Sequence, residues 1–222
     1  PLNDFKNNTQ NTINLLHFAK EIKCKHFIYM SSMSVYGNKY KNKLSEKFPT
    51  SPISFYGISK EASEKYIKKF KDKGLNYTIL RLFNVYGSGQ RLDNLKQGMI
   101  RIYLTQIFKK KTLSVKGSKY RYRDFIHIKD VIKYIKLIIN NKKFFNQILN
   151  IGTGKKTTIN TLVNMIKKKS NLKSKIRFIH GTIDDQFGVV ANIDKIKKLS
   201  KYTPMININD GLEEMIKKYF KS

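Results

Sequence analysis

The sequence predicts an α/β fold: the closing part of a doubly wound parallel sheet plus a smaller mixed α/β lobe. Three observations predict it. Helix-period and strand-like segments alternate along the chain. Tyr77–Leu82 is apolar with no polar alternation before Arg81, the pattern of a strand covered on both faces. After about residue 88 the texture changes to short strands and separate helices, which reads as a lobe covering the sheet's carboxyl edge.

Taken in order, residues 4–23 read as a helix with Ile13, Leu16, Ala19 and Ile22 on one face. Residues 26–30 form a short buried strand ending at Ser31, and 37–54, with Pro49 and Pro52, form a polar loop. A helix at 56–72 turns Ala62, Tyr66 and Phe70 inward and stops at Gly74, a left-handed cap. Beyond the strand Tyr77–Leu82 come a helix at 96–109, strands at 112–116 and 124–128, and a helix at 129–141. A strand at 149–151 meets the turn Gly152-Thr153-Gly154, and a helix starts at Thr158, a residue able to cap it. A strand at 175–180 and an amphipathic helix at 209–220 close the chain.

The net charge of +30 invites a nucleic-acid reading. Only six of the 45 basic residues are Arg, however, whereas base readout leans on Arg. Lys, Asn and Ile are in excess together, as a coding bias toward A and T produces, and the Lys residues are spread along the whole chain. No specific nucleic-acid partner is expected; a small polyanion suits the same charge. The apolar runs are too short and too Lys-flanked to span a bilayer, so no membrane partner is expected. Residues 1–12 hold no apolar leader core. The single Cys24 cannot form an internal disulfide, which fits a reducing, cytoplasmic setting. His17, His26, His127 and His180 lack ligand spacing, so no metal site is expected.

The strongest chemical signal is Tyr56 and Lys60 in the run Tyr-Gly-Ile-Ser-Lys. Four residues is about one helical turn, so the two side chains share a face. An ammonium beside a phenol favours the phenolate, which turns a weak acid into a base usable near neutral pH. A lone pair of this kind is also common on solvated helices. Its neighbours matter: a buried strand ends at Ser31-Ser32-Met33-Ser34-Val35-Tyr36-Gly37, so hydroxyls emerge where α/β proteins bind ligands.

FIYMSSMSVYG, YGISK, LRLFNVYG, RDFIHIKDV and LNIGTG follow one another in that order between residues 27 and 154, within a similarity that covers nearly all of the chain. In this order the motifs resemble the extended short-chain dehydrogenases/reductases, and among them the nucleotide-sugar epimerases and dehydratases of UDP-glucose 4-epimerase type. The resemblance implies a Rossmann domain, NAD as cofactor and a nucleotide-diphosphate sugar as substrate. It places the remaining NAD-binding part in residues 1–88, with one strand of it returning within 124–151, and the sugar-nucleotide lobe mostly in 89–222. It implies catalytic roles for Ser32, Tyr56 and Lys60. Cofactor contacts are implied for Asn8, Ser31, Tyr56, Lys60 and Phe83, and substrate contacts for Ser32, Asn84, Arg91, Asn94, Leu95, Lys116 and Arg123. A homodimer through the helices at 4–23 and 56–72 is implied for the complete protein.

Plainer readings stand beside these roles. Ser31 and Ser34 also read as strand-end hydroxyls, Phe83 as core, Arg123 as one cation on a solvated face, and the Gly152–Gly154 run as a tight turn rather than a phosphate loop. Sister dehydratases place an acid pair, and decarboxylases a Glu, where Met33 and Ser34 stand. Epimerisation at sugar position 4 through a transient keto sugar is therefore the expected outcome, with a dehydratase or reductase as the alternative on the same scaffold. A non-catalytic basic segment that binds nucleic acid is the alternative from another class.

Two departures set further expectations. The glycine-rich strand–turn–helix of dinucleotide-binding folds is absent, and Pro1 falls inside a helix that normally follows the third or fourth strand. The chain is thus expected to be a segment of a longer one, with an apolar edge at 26–30 and no hold on NAD alone. Thr182 and Ile183 stand where relatives place a second diphosphate arginine, shifting that task toward Arg91 or Lys116.

Overall fold

A computed structural model describes residues 1–40, 43–89, 98–110, 112–170, 175–181 and 186–220. The chain opens on a helical rod: a turn α1 (Leu2–Asp4), a π-helical stretch (Phe5–Gln10) and α2 (Asn11–Glu21). β1 (Phe27–Ser32) runs into a 3-10 turn (Met33–Tyr36), and α3 (Phe55–Phe70), β2 (Tyr77–Leu82) and β3 (Asn84–Tyr86) follow. Next come α4 (Met99–Lys110), β4 (Thr112–Lys116), β5 (Tyr122–Arg123), β6 (Phe125–His127) and α5 (Ile128–Ile138). The remaining elements are β7 (Gln147–Ile151), β8 (Thr157–Thr158), α6 (Ile159–Ser170), β9 (Lys175–Ile179), α7 (Asp194–Ser200) and α8 (Ile208–Phe220).

The organising sheet is parallel, in the order β1-β2-β7. Its two faces carry different apolar cores, as a doubly wound sheet requires. On one face Leu16 and Ala19 of α2 and Ile67 and Phe70 of α3 meet Tyr29, Tyr77 and Ile79. On the other, Val131, Tyr134 and Ile138 of α5 and Ile196 of α7 meet Leu80, Leu149 and Ile151. A third core joins α4, β4, α6 and α8 through Leu104, Ile107, Leu113, Leu162, Ile166 and Met215. β4 and β9 pair in parallel beside it. Asp124, wholly buried, ties this part to the sheet. Its carboxylate accepts the backbone N–H groups of Thr153 (2.8 Å), Gly154 (2.8 Å) and Ala191 (3.1 Å) and the Thr153 hydroxyl. The Gly152–Gly154 run is therefore a turn whose amides serve the protein itself, and a Cβ on Gly152 would lie 2.7 Å from Asp124 Oδ2.

The elements differ from expectation in instructive ways. β1 continues through Ser31 and Ser32, because each pairs with a residue of β2. The opening helix widens into its π-helical stretch, where the Asn11 N–H reaches back to the Lys6 carbonyl and the Thr9 hydroxyl donates to Ser59 O of α3 at 3.1 Å. Ile22 points outward, 58% exposed, since α2 has already ended there. On α3 the inward face is Ser59, Ser63, Glu64, Ile67 and Phe70, while Tyr66 is exposed. Phe70 faces inward as expected, but apolar periodicity missed Ser59, Ser63 and Glu64 because they are polar. Residues 128–138, not 129–141, make α5, and the short β3 and α7 were not foreseen. No helix among the described residues is long and apolar enough to cross a membrane, and no group of metal-ligating side chains occurs among them.

Candidate active site

The carboxyl ends of β1 and β3, the 3-10 turn and the start of α3 surround a cleft of about 520 Å³. Ser32 and Tyr56 both line it. Ser32 is the extended residue that caps the 3-10 turn: its Oγ accepts from Ser34 N at 3.1 Å and donates to Ser34 Oγ at 3.1 Å. The same hydroxyl also hydrogen-bonds the Tyr56 phenol across the cleft. α3 begins one residue before Tyr56 because Ser54, extended, accepts the Gly57 N–H at 3.1 Å. Gly57 lets the helix approach the turn closely, since a Cβ there would sit 2.8 Å from Ser34 O and 2.9 Å from Pro52 Cβ. Tyr56 thus stands in the first turn of a helix, at its electropositive end.

Lys60, one turn on, is half-buried; its ammonium donates to Met30 O of β1 at 2.9 Å. It lies 4.8 Å from the Tyr29 ring centroid and 5.7 Å from that of Tyr56. The expectation of a phenol lowered by this ammonium needs correction. Burial holds the Tyr56 phenol above its ordinary value, Ser32 draws it part of the way back, and the Asp4 carboxylate pushes it up again. The ammonium is spent on the Met30 carbonyl. Burial lowers Lys60, and Glu64 opposes that.

The other expected residues divide. Asn84 lines the cleft and donates to Asp124 O at 3.3 Å. Asn8, in the π-helical stretch, donates to Asp4 O at 3.1 Å. Ser31 does not reach the cleft: it is buried, and its hydroxyl donates to Glu64 Oε1 at 2.6 Å. Phe83, 4% exposed, packs with Val35, Tyr36, Leu44 and Val189 in a core behind the turn, so its side chain is not a wall of the cleft. Lys116 is exposed, and its carbonyl accepts from Arg121. Arg123 is buried, and its Nη1 donates to Tyr122 O at 2.8 Å and Phe187 O at 3.3 Å. Burial, with Arg121 adding to it, pushes its guanidinium down to about 10. This burial removes the solvated-face reading. Arg91, Asn94 and Leu95, with Thr182 and Ile183, lie outside the described residues.

The walls of the cleft went largely unread in the sequence. Asp4, Val85, Met99, Ile100 and Phe125 are among them. The only signal was position: Val85 follows Asn84, and Phe125 follows the Arg-Asp pair.

Residues 1–152 match the NAD dependent epimerase/dehydratase family. The chain belongs to that family. Among its relatives, the uncharacterized UDP-glucose epimerase YtcB of Bacillus subtilis is 32% identical over 94% of this chain and 65% of its own length. The chain thus spans just under two thirds of that protein. The structure of a UDP-glucose 4-epimerase from Thermotoga maritima with UDP-glucose superimposes with a TM-score of 0.90 or better, at 0.92, with 28% identity, over 100% of this chain and 71% of that one. A UDP-glucuronic acid 4-epimerase from Bacillus cereus, in complex with UDP-glucuronic acid and NAD, aligns at 30% identity and a TM-score of 0.88, over 96% of this chain and 67% of that one. These likenesses extend the family to the α/β fold described above, parallel sheet included.

Proposed function

We propose that this family member acts as an NAD-dependent 4-epimerase of a nucleotide-diphosphate sugar, with Ser32, Tyr56 and Lys60 as its catalytic residues. One observation carries the reading: the Ser32 and Tyr56 hydroxyls line a single cleft, with the Lys60 ammonium one helical turn behind the phenol. The chemistry of this donor set fits NAD at its nicotinamide-ribose end. A phenol and an ammonium at the open carboxyl edge of β1 offer donors to a ribose diol. When bound, the dinucleotide supplies the hydride acceptor and donor.

The chain's own residues handle the proton and the sugar. Ser32 holds the reacting hydroxyl oxygen by hydrogen bond. The Tyr56 phenolate takes the proton of that hydroxyl and gives it back when the carbonyl is reduced from the other face. Two features of the chain favour the phenolate against its burial: the hydrogen bond from Ser32 and the electropositive end of α3. The apolar side chains of Met99, Ile100 and Phe125 give the sugar room to turn while keeping water sparse. Met33 and Ser34, which also line the cleft, supply no carboxylic acid at the strand end for dehydration. Arg123, a buried planar cation beside Arg121, suits a diphosphate. The cytoplasm, the homodimer through the rod and α3, and the absence of a specific nucleic-acid partner belong to the same proposal.

The test incubates UDP-glucose, UDP-N-acetylglucosamine and UDP-glucuronic acid with NAD and either this chain or this chain joined to a glycine-rich NAD-binding segment. Proton NMR of the sugar H4 reads the outcome. An equilibrium of C4 epimers with no net change in NAD is expected. Net consumption of reduced cofactor, or loss of water from the sugar, would replace the epimerase reading with a sister chemistry.

A further inference from the structure

Beneath the cleft lies a buried polar layer that the reaction chemistry does not call for. Ser31, Arg81 and Asn150 stand in register across β1, β2 and β7, one residue short of the cleft end of β1. All three are buried, and Glu64 of α3 engages two of them, Ser31 and Arg81. Glu64, 1% exposed, uses both oxygens: Oε1 accepts from Ser31 Oγ at 2.6 Å and Arg81 Nε at 3.0 Å, and Oε2 from Arg81 Nη2 at 2.7 Å. The guanidinium stacks on Tyr36, 4.7 Å from the ring centroid, and the Tyr36 hydroxyl donates to Asn150 Oδ1 at 2.7 Å.

We propose that Glu64 is a positioning residue that fixes the spacing between the Ser32 and Tyr56 hydroxyls and faces Lys60 with its counter-charge. Tyr56, Lys60 and Glu64 sit at successive turns of α3, on the face turned to β1. Lys60 grips Met30 O and Glu64 grips Ser31, so two successive residues of the strand that ends in Ser32 are held by the helix that carries Tyr56. With the Gly57–Ser34 approach, this sets both the rotation and the advance of α3 along β1. A buried ion pair is seldom the cheapest way to stabilise a core; well-packed apolar side chains of similar volume often do as well. Its geometric precision is what apolar groups do not supply. The groups facing Lys60 are Tyr29 and the Met30 carbonyl from β1 and Tyr56 and Glu64 on its own helix; Arg81 of β2 engages Glu64, and Asp4 faces Tyr56. Among the charged groups acting on Lys60, Glu64 holds its ammonium up against the effect of burial.

The inference rests on the epimerase reading only for its kinetic arm. Two variants are compared with the parent: Glu64→Gln, which keeps the acceptor for Ser31, and Glu64→Gln with Arg81→Gln, which leaves no unpaired buried charge. Nitrogen-15 NMR of the lysine ammonium groups follows Lys60, assigned by its loss in Lys60→Arg. In both variants the Lys60 titration is expected to move to lower pH. In the active protein, kcat is expected to fall at least tenfold with KM changed less than twofold, and the pH profile of kcat to move. An unmoved Lys60 titration overturns the proposal, as does an undiminished kcat. A double variant that fails to melt cooperatively also overturns it, by making the pair a fold requirement rather than a spacer. Inactivity of the chain joined to a glycine-rich NAD-binding segment sinks the epimerase reading alone, because the Lys60 titration still decides this one.

Discussion

At Tyr56 one oxygen carries both halves of the proton transfer. Tyr56→Phe keeps the ring and removes that oxygen, so kcat is expected to fall by about 10²–10⁴-fold, the usual size of an acid/base contribution. The melting temperature should stay within a few degrees of the parent, because the residue is 41% exposed. Steady-state kinetics beside a thermal melt checks both. Tyr36, one turn behind the cleft, makes the opposite case. Burial pushes its phenol up to about 12, against about 10 in an unfolded chain. Between those values the unfolded chain has lost a proton that the folded chain keeps, so stability is complete below about pH 10 and declines as pH rises toward 12. Urea midpoints measured from pH 9 to 12 should fall less steeply in Tyr36→Phe than in the parent. The two tyrosines also show what was legible. Tyr56, Lys60 and Ser32 could be read because one helical turn and one strand end are local patterns. The tasks of Ser31 and Phe83 could not: Ser31 is claimed by Glu64, 33 positions on, and Phe83 by Val189 and its neighbours. Such claims are made in space, and nothing near either residue in the chain announces them.

At the level of elements, α3 is the one whose placement the site depends on. Gly57→Ala would put a methyl 2.8 Å from Ser34 O, a backbone atom that cannot swing away. The first turn of α3 must then lift from the 3-10 turn. The expected result is a loss of at least tenfold in kcat, with destabilisation of about 1–3 kcal/mol from overpacking, read by kinetics and by denaturant melts. Ser54 supplies the opposing pull as the cap. Strands and helices with strong periodicity were readable, β2 above all, because an uninterrupted apolar run has few other uses. The inward face of α3 was not, since Ser59, Ser63 and Glu64 look like a solvated surface until Arg81 and the strand ends are brought against them. β3 escaped notice because three residues are too few to carry a period.

For the molecule as a whole, charge and architecture are separate matters. A formal charge of +30 attracts any polyanion, but only six of the 45 basic residues are Arg, the side chain on which base readout leans. Binding to duplex DNA is expected to be indifferent to sequence and to weaken steeply between roughly 50 and 200 mM salt, as counterion release dictates. Fluorescence anisotropy with two unrelated duplexes tests this; a preference of more than tenfold for either would contradict it. The architecture is ordered instead by the row Ser31, Arg81 and Asn150, and the row acts during folding as well as in the finished protein. Side chains alternate between the faces of a sheet, so sliding any one strand by a single residue turns its member of the row over into the hydrocarbon of α5 and α7. A mis-threaded β2 would strand a guanidinium there without its carboxylate, a far heavier penalty than a displaced methyl group. The native alignment is thereby made conspicuous among its near neighbours, and a chain that folds at all brings its two hydroxyls together.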